Sequence, residues 1–260
     1  PYDAPSGALG VNFNSVAIRV LPDSTVVSGE QETPNLPLMA EIGRHYTSGT
    51  YRINIAKLHP DNPRRSTLRY TAELFMANLS ENGIKISGTW SMHPLSTNSS
   101  PLYSYTSDHT LEDVIRDCLT YSNNYIANQL FLALGADQLG YPATWEKSRI
   151  ILAEFLDEVL EGAGLSATMV DGSGLSRANR FSAAGLLKIL KLFKPYSHLL
   201  PKYRNFGRGK TGTLQGVYSF AGYLDETLDS PVVILLNQKE DTRAALIDRL
   251  SALVIPGASR

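Results

Sequence analysis

The sequence predicts an α+β fold, because short strands and long helices occupy different parts of the chain instead of alternating along it. Over residues 1–60, short β-like runs are separated by Pro, Gly, Ser and Asn. Beyond residue 101, apolar residues recur at helical spacing, and two strand-like runs follow near the end. The Ser-, Pro- and Asn-rich stretch between Pro94 and Pro101 is the best candidate linker. We therefore predict a mainly β region with one helix over residues 1–98 and a larger region of helices and antiparallel strands over residues 99–260.

The first region is predicted to contain three strands and a helix. Residues 16–20, 51–55 and 84–90 have the composition of short strands. The helix between the second and third strands shows apolar residues at helical spacing: Leu68, Ala72, Phe75, Met76 and Leu79. Asn82 and Gly83 follow this pattern and predict the end of the helix.

Five helices and two strands are predicted in the second region. Thr110 is the expected N-cap of the first helix, since Asp113 completes a weak capping box with it. The other predicted boundaries are Gly135 and Gly162 for the ends of the second and third helices, Ser182 and Leu192 for the cap and end of the fourth, strands at 217–224 and 232–237, and a last helix through residue 254.

The composition is that of an ordinary globular protein, with 43% hydrophobic and 19% charged residues in 260. A formal net charge of -1 gives no reason to expect nucleic acid or an anionic membrane as a partner. The apolar run at residues 232–236 is too short to span a bilayer, so no transmembrane segment is expected. Cys118, the single cysteine, excludes an internal disulfide and is expected to be a small core residue. The five histidines lack short ligand spacing, so neither a metal nor a cofactor is expected.

The N-terminus is expected to be a processed or cut end. The chain begins with Pro1 and carries no charged-then-apolar leader.

Three short motifs carry the chemistry of the sequence. The first is Ser-Asn-Asn at residues 122–124, between two helical patterns. The second is Asp-Gly-Ser-Gly-Leu-Ser-Arg at residues 171–177, and the third is Lys-Thr-Gly-Thr-Leu-Gln-Gly-Val at residues 210–217. Each is weak alone, since Ser122 could simply cap the following helix and residues 171–174 could be only a tight turn. Their order and flanks are more specific, because Ser-x-Asn followed by Lys-Thr-Gly is two thirds of the signature of penicillin-recognising serine enzymes.

With these flanks, the chain resembles the D-alanyl-D-alanine carboxypeptidase/endopeptidase family, the type-4 or class C penicillin-binding proteins, over nearly its whole length. The resemblance implies a penicillin-binding, serine β-lactamase-like domain, with an antiparallel sheet and flanking helices, into which residues 1–98 are inserted. It also implies a serine-type hydrolase of peptidoglycan stem peptides that works through an acyl-enzyme and binds β-lactams. The implied location is the bacterial cell envelope, periplasmic or extracytoplasmic. The preference for carboxypeptidase or endopeptidase action and the oligomeric state stay open.

The resemblance assigns three catalytic residues. Ser122 would relay a proton to the leaving amine, and Asn124 would hydrogen-bond the substrate amide. Lys210 would be a fixed positive charge that tunes Ser122 and attracts the terminal carboxylate of a D-Ala-D-Ala peptide. The proposed chemistry needs the side chains of Ser122 and Lys210 to meet, although 88 residues separate them.

The resemblance also implies substrate-binding residues. Thr211 and Thr213 would bind the carboxylate through their hydroxyls, and the Thr213 N–H would form half of an oxyanion hole. Gly212 would leave room for substrate beside the strand. Three further candidates are Ser173, Arg177, which is either a ligand for a second carboxylate or an ordinary surface cation, and Gln215.

A nucleophilic Ser-x-x-Lys is absent from this sequence. None of the nine lysines has a serine three residues before it, and the nearest match, Thr144 to Lys147, is better interpreted as a helix N-cap. In the family that the chain resembles, Ser-x-x-Lys precedes the inserted domains, so the resemblance implies a nucleophile on residues outside this sequence. This chain alone is therefore expected to be inactive. The stretch between residues 174 and 210 is also shorter than the family's usual one, which is compatible with a divergent or an inactive paralogue. The alternative is a catalytically inactive homologue that binds peptidoglycan peptides or partner proteins.

An α/β-hydrolase is a further alternative. Residues 174–178 loosely imitate its nucleophile elbow, but residues 179–181 separate them from the next helix, whereas the elbow requires a strand that runs directly into a helix.

Overall fold

The computed structural model describes residues 4–94, 100–160, 167–204, 207–225 and 227–254. The chain divides into two compact units, Pro1–Thr106 and Ser107–Arg260. The predicted boundary between residues 98 and 99 lies outside the described residues.

A three-stranded antiparallel sheet forms the centre of the first unit. Strand β1 (Ser15–Val20) lies between β2 (Val26–Ser28) and β3 (Gly49–Asn54). All residues of β1 except Arg19 are buried, so this strand has neighbours on both faces. The predicted strands at 16–20 and 51–55 are confirmed, with β3 ending one residue earlier.

Two α-helices and two short 3-10 helices accompany this sheet. Helix α1 spans Pro37–Gly43, helix α2 spans Pro63–Glu81, and the 3-10 helices span Asn12–Asn14 and Ile55–Leu58. The helix predicted before Asn82 is confirmed as α2, where Pro63 occupies the first turn and the Asn62 side chain accepts the Arg65 N–H at 3.1 Å. Helix α1 was not predicted, because it is short and has no side-chain N-cap. The buried core of this unit comprises Val16, Ile18, Val20, Leu36, Leu38, Met39, Ile42, Ile53, Ile55 and Tyr70.

The strand predicted at residues 84–90 is wrong. These residues form neither helix nor strand, and all but Trp90 are exposed. An alternating sequence becomes a strand only when a neighbour completes its ladder of hydrogen bonds. Within the described residues, no strand pairs with this segment.

The described part of the second unit contains five α-helices and six strands. The helices are α3 (Leu111–Tyr121), α4 (Asn124–Leu139), α5 (Trp145–Leu160), α6 (Ala183–Leu192) and α7 (Arg243–Val254), with a 3-10 helix at Lys194–Leu199. The strands are β4 (Ala167–Thr168), β5 (Arg180–Phe181), β6 (Lys202–Tyr203), β7 (Gly207–Leu214), β8 (Val217–Tyr223) and β9 (Pro231–Asn237). The last four form an antiparallel sheet in the order β6-β7-β8-β9, and β4 pairs with β5.

Hydrophobic packing covers both faces of the four-stranded sheet. Phe220 and Ile234 pack with Ile247 of α7 on one face. Tyr223 points to the opposite face, because side chains alternate along β8, and packs there with Leu190 of α6. The antiparallel sheet and its flanking helices agree with the predicted α+β class.

Helix capping in this unit largely follows the sequence. Thr110 and Asp113 form the expected capping box, and Ser182 accepts the Gly185 N–H at 3.0 Å. The end predicted at Gly135 is wrong, because α4 continues to Leu139. Gly135 lies inside the helix, where a Cβ would approach Ser148 of α5 to 2.5 Å. This glycine therefore permits close helix packing and does not end the helix.

The ends of α5, β8, β9 and α7 can be compared with the predicted ones. Gly162 lies outside the described residues, and α5 is described to Leu160. The two strands near the end are confirmed as β8 and β9, and the last helix is confirmed as α7. No helix in the described part of the chain is long and apolar enough to cross a membrane.

Candidate active site

Lys210 of β7 and Ser122, between α3 and α4, meet in the second unit. The Lys210 ammonium group donates one hydrogen bond to Ser122 Oγ and another, of 2.8 Å, to the Thr211 carbonyl. The fold thus brings together two side chains that are 88 residues apart. Asn124 is the first residue of α4 and is half-buried, two residues from this contact.

The backbone fixes Ser122 in an unusual conformation. Ser122 is the C-cap of α3 in the left-handed region, at φ 53° and ψ 47°, and its N–H donates to the Cys118 carbonyl. This region costs a residue with a Cβ about 1–2 kcal/mol. The interpretation of Ser122 as the cap of the following helix is wrong, because Asn123 has that role and accepts the Ile126 N–H at 3.0 Å. Ser122 therefore remains exposed with its hydroxyl at Lys210.

The environment of Lys210 disfavours its charge. Burial lowers the pKa of the Lys210 ammonium group, the nearby Cys118 thiol opposes this shift, and the positive Arg243 adds to it. Burial also raises the pKa of Cys118, against the effect of the Lys210 charge. Cys118 is half-buried and is not among the buried core residues of the described segments, so the core position expected from the sequence is not confirmed.

One edge of β7 is open beside Lys210. The short strand β6 pairs with β7 only at Gly207 and Arg208, and Gly209 donates its N–H to the Pro201 carbonyl. Within the described residues, no strand pairs with residues 210–214 on this side. Such an edge presents backbone donors and acceptors to which an extended peptide can add as a further strand.

Strand β7 was missed in the sequence because of its glycines. Gly212 in particular has an internal steric role, since a Cβ there would lie 2.5 Å from Ser219 Oγ of β8. The room for substrate expected at Gly212 stays a prediction. Thr211 is half-buried, and Thr213 is exposed.

The loop at residues 171–177 is held together by Asp171. One oxygen of its carboxylate accepts the Gly174 N–H at 2.8 Å and the Asn179 amide at 3.0 Å, and the other accepts the Ser176 N–H at 2.8 Å. Ser173 Oγ accepts the Leu175 N–H at 3.3 Å within the same loop. The tight-turn interpretation therefore describes this loop well, and a substrate contact at Ser173 stays a prediction.

Asn128 of α4 attaches this loop to the helix that begins at Asn124. Its side-chain oxygen accepts the N–H groups of Gly172 and Ser173 at 3.1 and 3.0 Å. A Cβ at Gly172 would lie 2.2 Å from the Ala127 carbonyl oxygen, so only glycine allows this approach. Sequence reasoning missed Asn128, although a polar residue one turn after Asn124 in an apolar helix was an available signal.

Arg177 connects the loop to the turn between β7 and β8. Its guanidinium donates to the Gln215 carbonyl at 2.8 Å, and both residues are exposed. Gly216 completes the turn at φ 74°, a conformation that favours glycine. The three motifs thus lie on connected elements: Ser122 contacts Lys210, Asn128 binds the loop, and Arg177 binds the turn.

Arg243, at the start of α7, was also missed in the sequence. Its guanidinium contacts Gly212, Thr213 and Ser219 from the side of α7. No short motif in the sequence indicates this contact across 30 residues. No group of three or more His, Cys, Asp or Glu residues in the described segments could hold a metal ion.

Comparisons with known proteins connect this geometry to a family. The profile of the D-Ala-D-Ala carboxypeptidase 3 (S13) family matches residues 63–205, which include Ser122, Asn124 and the loop at 171–177. A curated relative, D-alanyl-D-alanine carboxypeptidase DacB of Haemophilus influenzae, is 26% identical over 183 residues, 62% of this chain. The match spans only 38% of that relative's length.

Two solved structures share the fold. Both are penicillin binding protein 4 (dacB) from Haemophilus influenzae, and one is a complex with a novel β-lactam. The alignment with the complex covers 98% of this chain and 70% of the chain in the complex, with a TM-score of 0.66 and 17% identity. The other covers 97% and 68%, with a TM-score of 0.67 and 17% identity.

Proposed function

The chain belongs to the D-Ala-D-Ala carboxypeptidase 3 (S13) family, and from this premise we propose that it forms one wall of a serine peptidase site for peptidoglycan stem peptides. The observation that carries the proposal is the hydrogen bond between Lys210 and Ser122. When a lysine donates to the oxygen of a serine hydroxyl, the hydroxyl hydrogen points away from the lysine and is available for transfer to another group.

The charges around the site suit a peptide with a free carboxylate. Lys210 carries positive charge beside the open edge of β7, and Arg177 carries positive charge at the turn that follows this strand. Neither makes an ion pair within the described residues. A stem peptide could extend along this edge with its terminal carboxylate at Lys210, Thr211 and Thr213. β-Lactams carry a carboxylate in the same relation to a reactive amide, so we propose them as ligands of the same site.

The proposed reaction needs a serine nucleophile that this sequence does not supply in Ser-x-x-Lys spacing. That serine would give its proton to the lysine of Ser-x-x-Lys as its oxygen bonds to the carbonyl carbon of the penultimate D-Ala, and the Thr213 N–H would donate to the carbonyl oxygen as it becomes negative. The bond to the terminal D-Ala nitrogen would then break, and Ser122 would relay the proton, taking one from that lysine as it gives its own to the leaving amine. Water would then hydrolyse the ester. We place this activity outside the cytoplasm, in the bacterial envelope where its substrate lies.

A binding protein without turnover is the second candidate, favoured by the absence of Ser-x-x-Lys. Intact-mass spectrometry after incubation with benzylpenicillin separates the two. We expect the 260-residue chain to gain no adduct, because no serine here has a lysine three residues after it. Without its nucleophile, a serine hydrolase retains only a residual acceleration of about 10³–10⁴ over water.

The 260-residue chain should be compared with a longer protein that includes the segment encoded upstream in the same gene. If that segment carries Ser-x-x-Lys, we expect one benzylpenicillin mass on that serine, and benzylpenicillin hydrolysed beforehand is the control. A stable adduct on any serine of the 260-residue chain would overturn the assignment of the nucleophile. An upstream segment without Ser-x-x-Lys, and without an adduct, would favour the binding protein.

A further inference from the structure

Arg243 of α7 is the centre of a hydrogen-bond cluster behind the Lys-Thr-Gly-Thr segment of β7. Its side chain is only 13% exposed. The nitrogen Nη1 donates to the carbonyls of Gly212 and Ser219, each at 2.8 Å. The nitrogen Nη2 donates to the Asp241 carboxylate at 3.0 Å, and both nitrogens lie 3.4 Å from Thr213 Oγ1.

These contacts determine which hydrogens of Thr213 remain available. A guanidinium has donors and no acceptor, so the Thr213 oxygen can only accept from Arg243, and its hydroxyl hydrogen must point elsewhere. The peptide between Gly212 and Thr213 is planar and trans, so the Thr213 N–H points away from the Gly212 carbonyl that Arg243 binds. In a strand, that direction leads away from β8, to the open edge of β7.

We propose that Arg243 is a positioning residue that holds Thr213 with its N–H and O–H both available to an anionic group of a peptide ligand. The inference rests on the proposed function, in which that group is the terminal carboxylate or the developing oxyanion. Arg243 acts through Thr213 and does not touch the ligand.

An arginine that only joined α7 to the sheet would not need the contact with Thr213. The carbonyls of Gly212 and Ser219 already tie α7 to β7 and β8 through Arg243. Arg208 of β7 has such a purely structural role, since it donates to the carbonyls of His198 and Leu200. The contact with the Thr213 hydroxyl distinguishes Arg243 and predicts a dependence on the charge of the ligand.

The test measures binding of an N-acetylated peptide that ends in D-Ala-D-Ala and of its C-terminal amide. We expect Arg243→Gln to weaken binding of the acid about tenfold and binding of the amide less than about twofold, because a displaced Thr213 loses hydrogen bonds to the charged carboxylate, which the amide lacks. Thr213→Val should show the same selectivity, and the double variant should lose no more than Thr213→Val alone. Arg243→Lys, which cannot reach all four acceptors, should lose selectivity too, whereas Thr213→Ser should retain it.

Arg208→Gln is the matched control, and we expect it to leave the ratio of acid to amide binding unchanged. The inference fails if Arg243→Gln weakens both peptides equally while Thr213→Val weakens only the acid; the proposed function then stands. It also fails if the losses in the double variant simply add. If the unmodified chain binds the amide as well as the acid, both the proposed function and the inference fail. Should Arg243→Gln not fold, Arg243→Lys decides by the same comparison.

Discussion

Replacing Lys210 with methionine is expected to weaken binding of a D-Ala-D-Ala peptide by about 10- to 100-fold. The reason is the loss of the cation beside the open edge of β7, since hydrogen bonds to charged groups contribute about 1.5–3 kcal/mol. Methionine fills a similar volume, so the strand should keep its pairing with β8. Calorimetric or NMR titration with the peptide measures the effect. Lys202→Met, at an exposed lysine of β6, is the control and should bind like the unmodified protein.

The same variant tests how stability depends on the protonation of Lys210. Because burial lowers the pKa of Lys210 in the folded state, the unfolded chain holds this proton more tightly. The Lys210 contribution to the free energy of unfolding therefore rises with pH between its folded pKa and the unfolded value of about 10.4. The difference in stability between the unmodified protein and Lys210→Met should show this rise. For binding, the contradicting result is a Lys210→Met variant that binds the peptide as tightly as the unmodified protein, because Lys210 would then not contribute to the site.

Replacing Asn128 with alanine is expected to destabilise the second unit by about 1–3 kcal/mol. The substitution removes the side-chain oxygen that accepts the N–H groups of Gly172 and Ser173, and partly buried donors that lose their partner are costly. The loop at residues 171–177 should also separate from α4, with faster hydrogen exchange at both N–H groups. Urea unfolding and hydrogen exchange measure these effects.

Two variants on the same helix make this test specific. Asn128→Asp keeps an acceptor oxygen and should retain most of the stability. Gln138→Ala removes an exposed side chain whose amide donates to Asp137, and we expect no measurable change. If Asn128→Ala unfolds at the same urea concentration as the unmodified protein, the loop does not depend on Asn128.

Local signals in the sequence predicted much of the second unit. Thr110 and Ser182 cap their helices as expected, because an N-cap needs only a side-chain oxygen three residues before a free N–H. Strands β8 and β9 were recognised from runs of apolar and β-branched residues.

Elements that depend on tertiary contacts were not predicted. Strand β7 has glycines and cations where a typical strand has apolar residues, and it exists because β8 pairs with it. Gly135 is of a residue type that often ends a helix, but its contact with α5 keeps it inside α4. Residues 84–90 alternate like a strand and remain irregular without a partner.

The candidate site divides in the same way. The motifs containing Ser122 and Lys210 were visible in the sequence because their spacing and flanks resemble a known family. Asn128 and Arg243 were not predicted, because both bind backbone groups distant in the sequence, and any residue type can supply a backbone carbonyl or N–H. A polar residue in the apolar α4 did mark Asn128 as unusual, but it gave no indication of its partners. The left-handed conformation of Ser122 was equally invisible, since serine rarely adopts it.

The most direct test of the central claim is a map of backbone amide chemical shifts during titration with an N-acetylated D-Ala-D-Ala peptide. We expect saturable changes at Ser122, Lys210 and Thr213, near the hydrogen bond that joins the first two. The C-terminal amide of the same peptide should give much smaller changes at these positions. Changes confined to other parts of the chain, or equal changes with acid and amide, would contradict a carboxylate-binding peptidase wall at Lys210.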